Sequence, residues 1–349
     1  MNGLLDYNID ELKDLLAGMG EKPFRAGQIM KWLSMGKPFE EMTDLSKELR
    51  RKLREGYSEG YARTATVAQS VDGTKKYLFE FEDGSTVESV FMQKNYGNTI
   101  CVSTQVGCRM GCEFCASCAE GLKRNLSAGE ILAQVIAVNA DMGEGRNITN
   151  IVLMGMGEPF DNYDQVVKFL RLVNSDAGLH IGMRNISLST CGLTERIRQF
   201  AGEDLPVTLS ISLHAASDGK RVKIMPSAKQ YKIADILDAA NAYFLATGRR
   251  IIIEYAVIDG FNDGREDVLL LKEALQGMNC HINLIPLNQN DGLALKAPEK
   301  RRVYAFCGML AEEGLSATVR KSMGSDIAGA CGQLRQQHLD GENTKRIGT

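Results

Sequence analysis

The sequence predicts an α/β protein whose centre is a partial six-unit barrel, preceded by a small helical unit and a short β extension. Strand-like apolar runs and amphipathic helical stretches alternate six times between residues 99 and 315, the pattern that builds a parallel sheet. A full eight-stranded barrel takes about 250 residues, whereas the strands here begin and end within about 190, so an open barrel fits and a doubly wound sheet is the alternative. A chain of 349 residues, 44% hydrophobic and 24% charged, can bury a core without help from disulfides or metal.

The elements follow in order. Residues 1–58 read as a helical domain, with apolar faces at Ile9, Leu12, Leu15 and Leu16, at Ile29, Met30 and Leu33, and at Leu45, Leu49 and Leu53. Residues 59–98 read as an antiparallel extension, in which Asp72-Gly73 and Asp83-Gly84 mark turns between strand-like runs. Residues 99–315 carry the barrel. Its strands are expected at 99–104, 148–154, 185–189, 207–213, 250–258 and 281–287. Its helices are expected from about 128, at 166–173, and near 193–201, 234–246, 265–276 and 299–314. Ser127 and Glu130 have capping-box spacing at the first of these helices. Residues 316–349 open with a short strand at Ala317–Arg320 and continue as a loop of small residues.

Charge and hydropathy exclude several classes. The net charge of −3 gives no global attraction for nucleic acid, so any RNA must be held by local patches. Lys123, Arg124, Arg320 and Lys321 are better placed for this than the mixed-charge helical unit, where Lys22, Arg25, Lys31, Arg50, Arg51, Lys52 and Arg54 alternate with acids. No apolar run approaches the roughly 20 residues of a membrane span, and the N-terminus lacks signal-peptide features. The reading is a soluble, cytoplasmic protein.

Five of the nine cysteines fall between 101 and 118. Cys108-x3-Cys112-x2-Cys115 lies just after the first barrel strand, where β/α folds place their active sites. Three thiolates on one short loop suit an iron–sulfur cluster with one open iron. Cys118 extends the run, so a four-cysteine zinc site or an electron-carrying cluster also matches the spacing. Gly155 and Gly157 allow close backbone approach, and Glu158 can accept a hydrogen bond from an amino group.

The cysteine motif, with Phe114 before its last member, resembles the radical S-adenosylmethionine (SAM) superfamily. Further motifs narrow the resemblance to the RlmN/Cfr family of RNA methyltransferases. They are Cys101-Val-Ser-Thr-Gln-Val-Gly-Cys108, Gly121-Leu-Lys-Arg-Asn-Leu126, Gly155-Met-Gly-Glu-Pro159, Ser210-Ile-Ser-Leu-His214, Asn283-Leu-Ile-Pro286, Gly324-Ser-Asp-Ile327 and Ala330-Cys-Gly-Gln-Leu334.

The resemblance implies a radical SAM partial (β/α)6 barrel with a [4Fe–4S] cluster on Cys108, Cys112 and Cys115. It implies SAM contacts at Gly157, Glu158, Ser189, Ser212, Leu213, His214 and Asn288. Cys331 is then a methyl carrier, Cys101 its transient disulfide partner and Glu88 a proton acceptor. The implied reaction methylates carbon 2 of adenosine 2503 in 23S rRNA and of adenosine 37 in tRNA, with two SAM per turnover and a low-potential donor such as a flavodoxin. One departure is Cys118, where the family pattern leads to Ser or Thr. The alternatives are a Cfr-like carbon-8 methyltransferase and, from another class, a non-enzymatic metal or electron-carrier protein that binds RNA.

Overall fold

The computed structural model describes residues 2–95, 97–143, 147–287, 295–321, 323–324 and 326–327. A single ten-stranded sheet dominates. Its strands are β1 (Arg63–Gln69), β2 (Lys75–Glu80), β3 (Thr86–Lys94), β4 (Gly97–Cys101), β5 (Asn150–Leu153), β6 (Ile186–Thr190), β7 (Thr208–Ser212), β8 (Ile251–Val257), β9 (Cys280–Pro286) and β10 (Ala317–Val319). Order in the sheet equals order in the chain. β1 to β4 are antiparallel neighbours. β4 to β10 are all parallel. The six expected barrel strands are therefore present, β10 adds a seventh parallel strand, and the β extension continues the same sheet.

Ten helices accompany the strands: α1 (Ile9–Gly18), α2 (Arg25–Ser34), α3 (Lys47–Gly56), α4 (Ala128–Met142), α5 (Tyr163–Asn174), α6 (Thr194–Ala201), α7 (Asp218–Ile224), α8 (Ile233–Thr247), α9 (Arg265–Ala274) and α10 (Lys300–Glu312). The Ser127/Glu130 capping box that starts α4 is formed in both directions. The helix also receives Asp6, which accepts from the Gly129 N–H at 2.7 Å and the Ser127 hydroxyl at 3.0 Å. A carboxylate at a helix N-terminus meets its unpaired N–H groups and the positive end of its dipole. A Cβ at Gly129 would stand 2.8 Å from the Asp6 nitrogen, so only glycine admits this contact between the N-terminal segment and the barrel.

The two faces of the sheet differ in chemistry. Ile100, Ile151, Leu153, Ile186, Leu188, Leu209, Ile211, Ile253 and Ile282 are buried in the continuous apolar core. On β3 that same side carries Ser89, which donates to Gln134 of α4 at 2.7 Å. Side chains alternate across a strand, so the opposite face carries Cys101, Ser187, Ser189, Ser210, Ser212, Glu254 and Asn283, linked by the registers of β4 to β9. A barrel filled by its own side chains uses branched apolar residues there. This one lines its concave side with polar groups.

Beyond β10 the chain reaches the turn between β1 and β2, near the other edge of the sheet. The Gly324 N–H donates to Asp72 at 3.0 Å, and Asp326 accepts from the Val71 N–H at 3.1 Å and from the Ser70 hydroxyl.

Candidate active site

The cysteine loop is held by a small hairpin in which Gln105–Gly107 pairs with Leu122–Asn125. Gly107 adopts φ +77°, and a Cβ there would lie 1.9 Å from the Gly121 carbonyl oxygen. The Cys108 N–H donates to that same carbonyl at 3.1 Å and closes the loop. Inside it, successive turns run from Cys115 N–H to Cys112 O (3.1 Å), Cys118 N–H to Cys115 O (3.2 Å) and Gly121 N–H to Cys118 O (3.1 Å). The Glu113 N–H bonds to Ile224 O of α7 at 3.0 Å.

These turns converge the thiols. Cys108, Cys112, Cys115 and Cys118 lie close enough on this loop to influence one another's charge. Donation to Cys118 comes first, and burial second, in pushing the other three thiols upward. Acceptance from all three drives Cys118 down. The Ser117 hydroxyl is buried without a partner of its own among the described residues, beside the Cys115 sulfur. Among the described residues no three His, Cys, Asp or Glu side chains frame a single-ion position. An all-thiol donor set on one short loop suits a soft metal or iron in a sulfide cluster.

The strand ends supply the rest of the rim. Glu158 is buried, and its two carboxylate oxygens accept from the Phe160 N–H at 3.1 Å and the Cys191 N–H at 2.8 Å. Burial pushes its carboxyl upward against these bonds, and each oxygen keeps a second lone pair. Gly157 has φ +102°, and a Cβ there would meet Gln105 at 2.6 Å. Its close approach is thus to the hairpin. Ser189 and Ser212 lie side by side, with hydroxyls 3.0 Å apart. Leu213 is fully buried. His214 has φ +59°, accepts at Nδ1 from the Ala256 N–H at 3.0 Å and stacks edge-on with Phe114 at 4.9 Å. Burial, then the nearby Arg221 charge, pulls its pKa down to about 3, so the ring is neutral with its proton on Nε2. Asn288 and Cys331 lie outside the described residues.

Glu88 and Cys101 come together on the concave face. Glu88 sits two residues before Val90, which pairs with Cys101 on one side and Lys76 on the other. Cross-strand partners share a face, so these four residues do. Lys76 Nζ lies 2.9 Å from Glu88 Oε2, with the two side chains 0% and 3% exposed. Lys76 escaped the sequence reading. So did Arg221, which is fully buried and donates to the carbonyls of Cys191, Ser212, Leu213 and Tyr231. That fan of bonds fixes the rim between β6 and α7. Glu254, buried and bonded to Asn283 at 2.8 Å, was also missed, although Glu in an otherwise apolar strand is a signal.

The cations expected to flank the mouth are largely engaged. Arg124 is paired with Glu130 at 2.7 Å and Asp83 at 2.6 Å, and Lys123 with Glu120 at 2.9 Å. In the helical unit Arg51 pairs with Glu48 and Glu55, and Arg54 with Glu40.

Comparison with known proteins identifies the family. A family model described as the ribosomal RNA large subunit methyltransferase N-terminal domain matches residues 2–58, and the radical SAM superfamily model matches residues 102–271. The chain is 50% identical over 348 residues to a probable dual-specificity RNA methyltransferase RlmN of Clostridium perfringens, covering 99% of this chain and 100% of that one. The chain belongs to the RlmN family of radical SAM RNA methyltransferases. The corresponding protein of Clostridium beijerinckii is 46% identical, with 99% of this chain and 98% of that one aligned. The crystal structure of a radical SAM methyltransferase from Sphaerobacter thermophilus superposes with a TM-score of 0.92 at 40% identity, covering 95% and 99% of the two chains. Family membership makes the chain an enzyme and sets aside the reading as a non-enzymatic electron carrier. The family uses a [4Fe–4S] cluster and SAM. The convergent thiols, and the buried Thr99 hydroxyl left without a partner on the concave face, fit those groups. No helix among the described residues is long and apolar enough to cross a membrane.

Proposed function

We propose that this enzyme methylates carbon 2 of adenine at adenosine 2503 of 23S rRNA and adenosine 37 of tRNA, through a methylated Cys331, and that it draws electrons from a flavodoxin-type protein. The observation that carries the reading is the shared face of Cys101, on the strand that leads into the cysteine loop, and the Lys76-held Glu88, on the neighbouring strand. The tail that would bring Cys331 there is clipped to the β1–β2 turn up to Asp326, five residues earlier. Five residues span at most about 18 Å.

Cys108, Cys112 and Cys115 would hold the cluster. Glu158, Ser189, Ser212, Leu213, His214, Gly157 and Asn288 would line the SAM site. When bound, these groups supply a methyl donor and a 5′-deoxyadenosyl radical. The adenine carbon is a poor nucleophile, whereas a thiolate is a good one. Cys331 therefore takes the methyl group first. The neutral His214 ring would add no positive charge to a site that binds a sulfonium ion. Once the methyl carbon has joined the base, Glu88 accepts the proton that leaves carbon 2. The Cys101 thiolate then attacks the Cys331 sulfur; the disulfide forms, the bond from that sulfur to the methylene carbon breaks, and the carbon keeps the electron pair and takes up a proton to become the methyl group of the product.

Two measurements test the reading. Peptide mass spectrometry of freshly purified protein is expected to show Cys331 one methyl group heavier. Mass spectrometry of RNA modified in vitro is expected to place the new methyl at carbon 2. An unmodified Cys331, or a methyl at carbon 8, overturns it.

A further inference from the structure

A buried carboxylate lies beside the strand end that carries Ser212. Glu254 of β8 is opposite Ser212 of β7 on one side and Asn283 of β9 on the other. Residues paired in neighbouring strands share a face of the sheet, so these three side chains stand in one row on the concave side. The Ser212 hydroxyl continues the row to that of Ser189, 3.0 Å away. The backbone reinforces the arrangement, because the Leu213 and His214 N–H groups both donate to the Glu254 carbonyl, at 3.1 and 3.3 Å. Glu254 is 4% exposed, and a carboxylate that deep is costly unless it is bonded. Asn283 Nδ2 donates to its Oε2 at 2.8 Å. Burial pushes the carboxyl upward, and the Arg320 charge, ahead of Asn283 and Ser210, pulls it back. On the same face of β8, Ile252 and Ala256 on either side are apolar, so the charge is confined to the one position that meets Ser212. None of the methyl, proton or disulfide steps employs it.

We propose that Glu254 is a SAM-binding residue that accepts hydrogen bonds from the vicinal hydroxyls of the cofactor's ribose. The inference rests on the assignment of Ser189 and Ser212 to the SAM site. An ionised carboxylate is acceptor-only, with about four lone-pair sites, so bonds from Asn283 and Ser210 leave capacity for further donors. A ribose supplies two adjacent O–H donors, and an acidic side chain is the partner such hydroxyls find in dinucleotide sites. Each serine hydroxyl both donates and accepts, so the serines alone would hold a sugar in more than one hydrogen-bond pattern. Glu254 sets the direction, with the ribose protons aimed at the carboxylate and the serines free to donate back. Asn283 fixes the carboxylate from below, and the Glu254 carbonyl fixes Leu213 and His214. Sugar and rim are thus registered to a single position of β8.

The test is equilibrium dialysis of the anaerobically reconstituted full chain with SAM and with its 2′-deoxyribose and 3′-deoxyribose analogues. Wild type is expected to bind at least one analogue roughly tenfold to a hundredfold more weakly than SAM, the worth of a buried hydrogen bond to a charged group. Glu254→Gln keeps the shape of the side chain and the backbone bonds to Leu213 and His214. It is expected to bind SAM more weakly by a similar factor and to lose the discrimination between SAM and that analogue. Glu254→Asp withdraws the charge by one methylene and is expected to lose part of the discrimination, with thermal unfolding confirming that each variant is folded. Wild type that binds both analogues as tightly as SAM overturns the proposal with no variant needed. A folded Glu254→Gln that weakens SAM and both analogues equally also overturns it, since that is the mark of a merely structural carboxylate. Ser189→Ala and Ser212→Ala variants that bind SAM as tightly as wild type overturn the assignment of the serines instead.

Discussion

Replacing Lys76 by methionine tests whether the pair beneath the proposed base is a true buried ion pair. The substitution keeps the length and apolar character of the side chain and removes the ammonium 2.9 Å from Glu88. Both partners are essentially out of water, so Glu88 would lose its buried ammonium partner. Removing one member of such a pair costs about 3–5 kcal/mol, whereas replacing both by apolar groups of similar size is often neutral or stabilising. At about 2 °C per kcal/mol for a large domain, the expected fall in Tm is roughly 6–10 °C. The assay is thermal unfolding of the anaerobic protein at pH 7, comparing wild type, Lys76→Met, and Lys76→Met with Glu88→Leu. The double variant should recover most of the loss. A Lys76→Met protein within about 1 kcal/mol of wild type, or a double variant no better than the single one, refutes the reasoning.

Three further outcomes follow from the geometry. Gly107→Ala forces a Cβ into the Gly121 carbonyl at a positive φ, so iron bound after reconstitution should fall to a small fraction of wild type, measured by metal analysis. Cys101→Ala removes the thiol assigned to product release, so RNA covalently attached to Cys331 should accumulate and be visible as a shifted band on a denaturing gel. Asp72 and Asp326 are held below the usual carboxylate range, Asp72 first by the Gly324 N–H and Asp326 first by the Ser70 hydroxyl. A carboxylate depressed in the folded state stabilises above its unfolded pKa of about 3.9 and loses that contribution as the pH falls through the folded value. The tail clip should therefore hold at neutral pH and release in acid below about pH 4, as loss of hydrogen-exchange protection at Gly324 and Val71.

Much of the fold was legible because the strands are short apolar runs separated by amphipathic helices. Alternation such as Ile186-Ser-Leu-Ser-Thr190 and Leu209-Ser-Ile-Ser212 even encodes the two faces of the sheet. The cysteine loop was legible from spacing alone, and the hairpin that closes it through the Gly121 carbonyl was not, since that contact needs a positive φ at Gly107. The helix Asp218–Ile224 escaped because seven residues carry too little period. Lys76 and Arg221 look like surface cations in sequence. Their partners come from other strands and loops, and only the fold reveals that both are buried. The tail clip joins Asp326 to Ser70, 256 residues apart, a distance over which local pattern says nothing.

Because strand order follows chain order, the ten strands form a ribbon whose two margins are bridged by the clipped tail rather than by a shared ladder. Undoing that latch exchanges a few carboxylate contacts for water and leaves every inter-strand bond in place. Loss of the clasp and loss of the sheet are therefore separate events, the first costing only a few surface contacts.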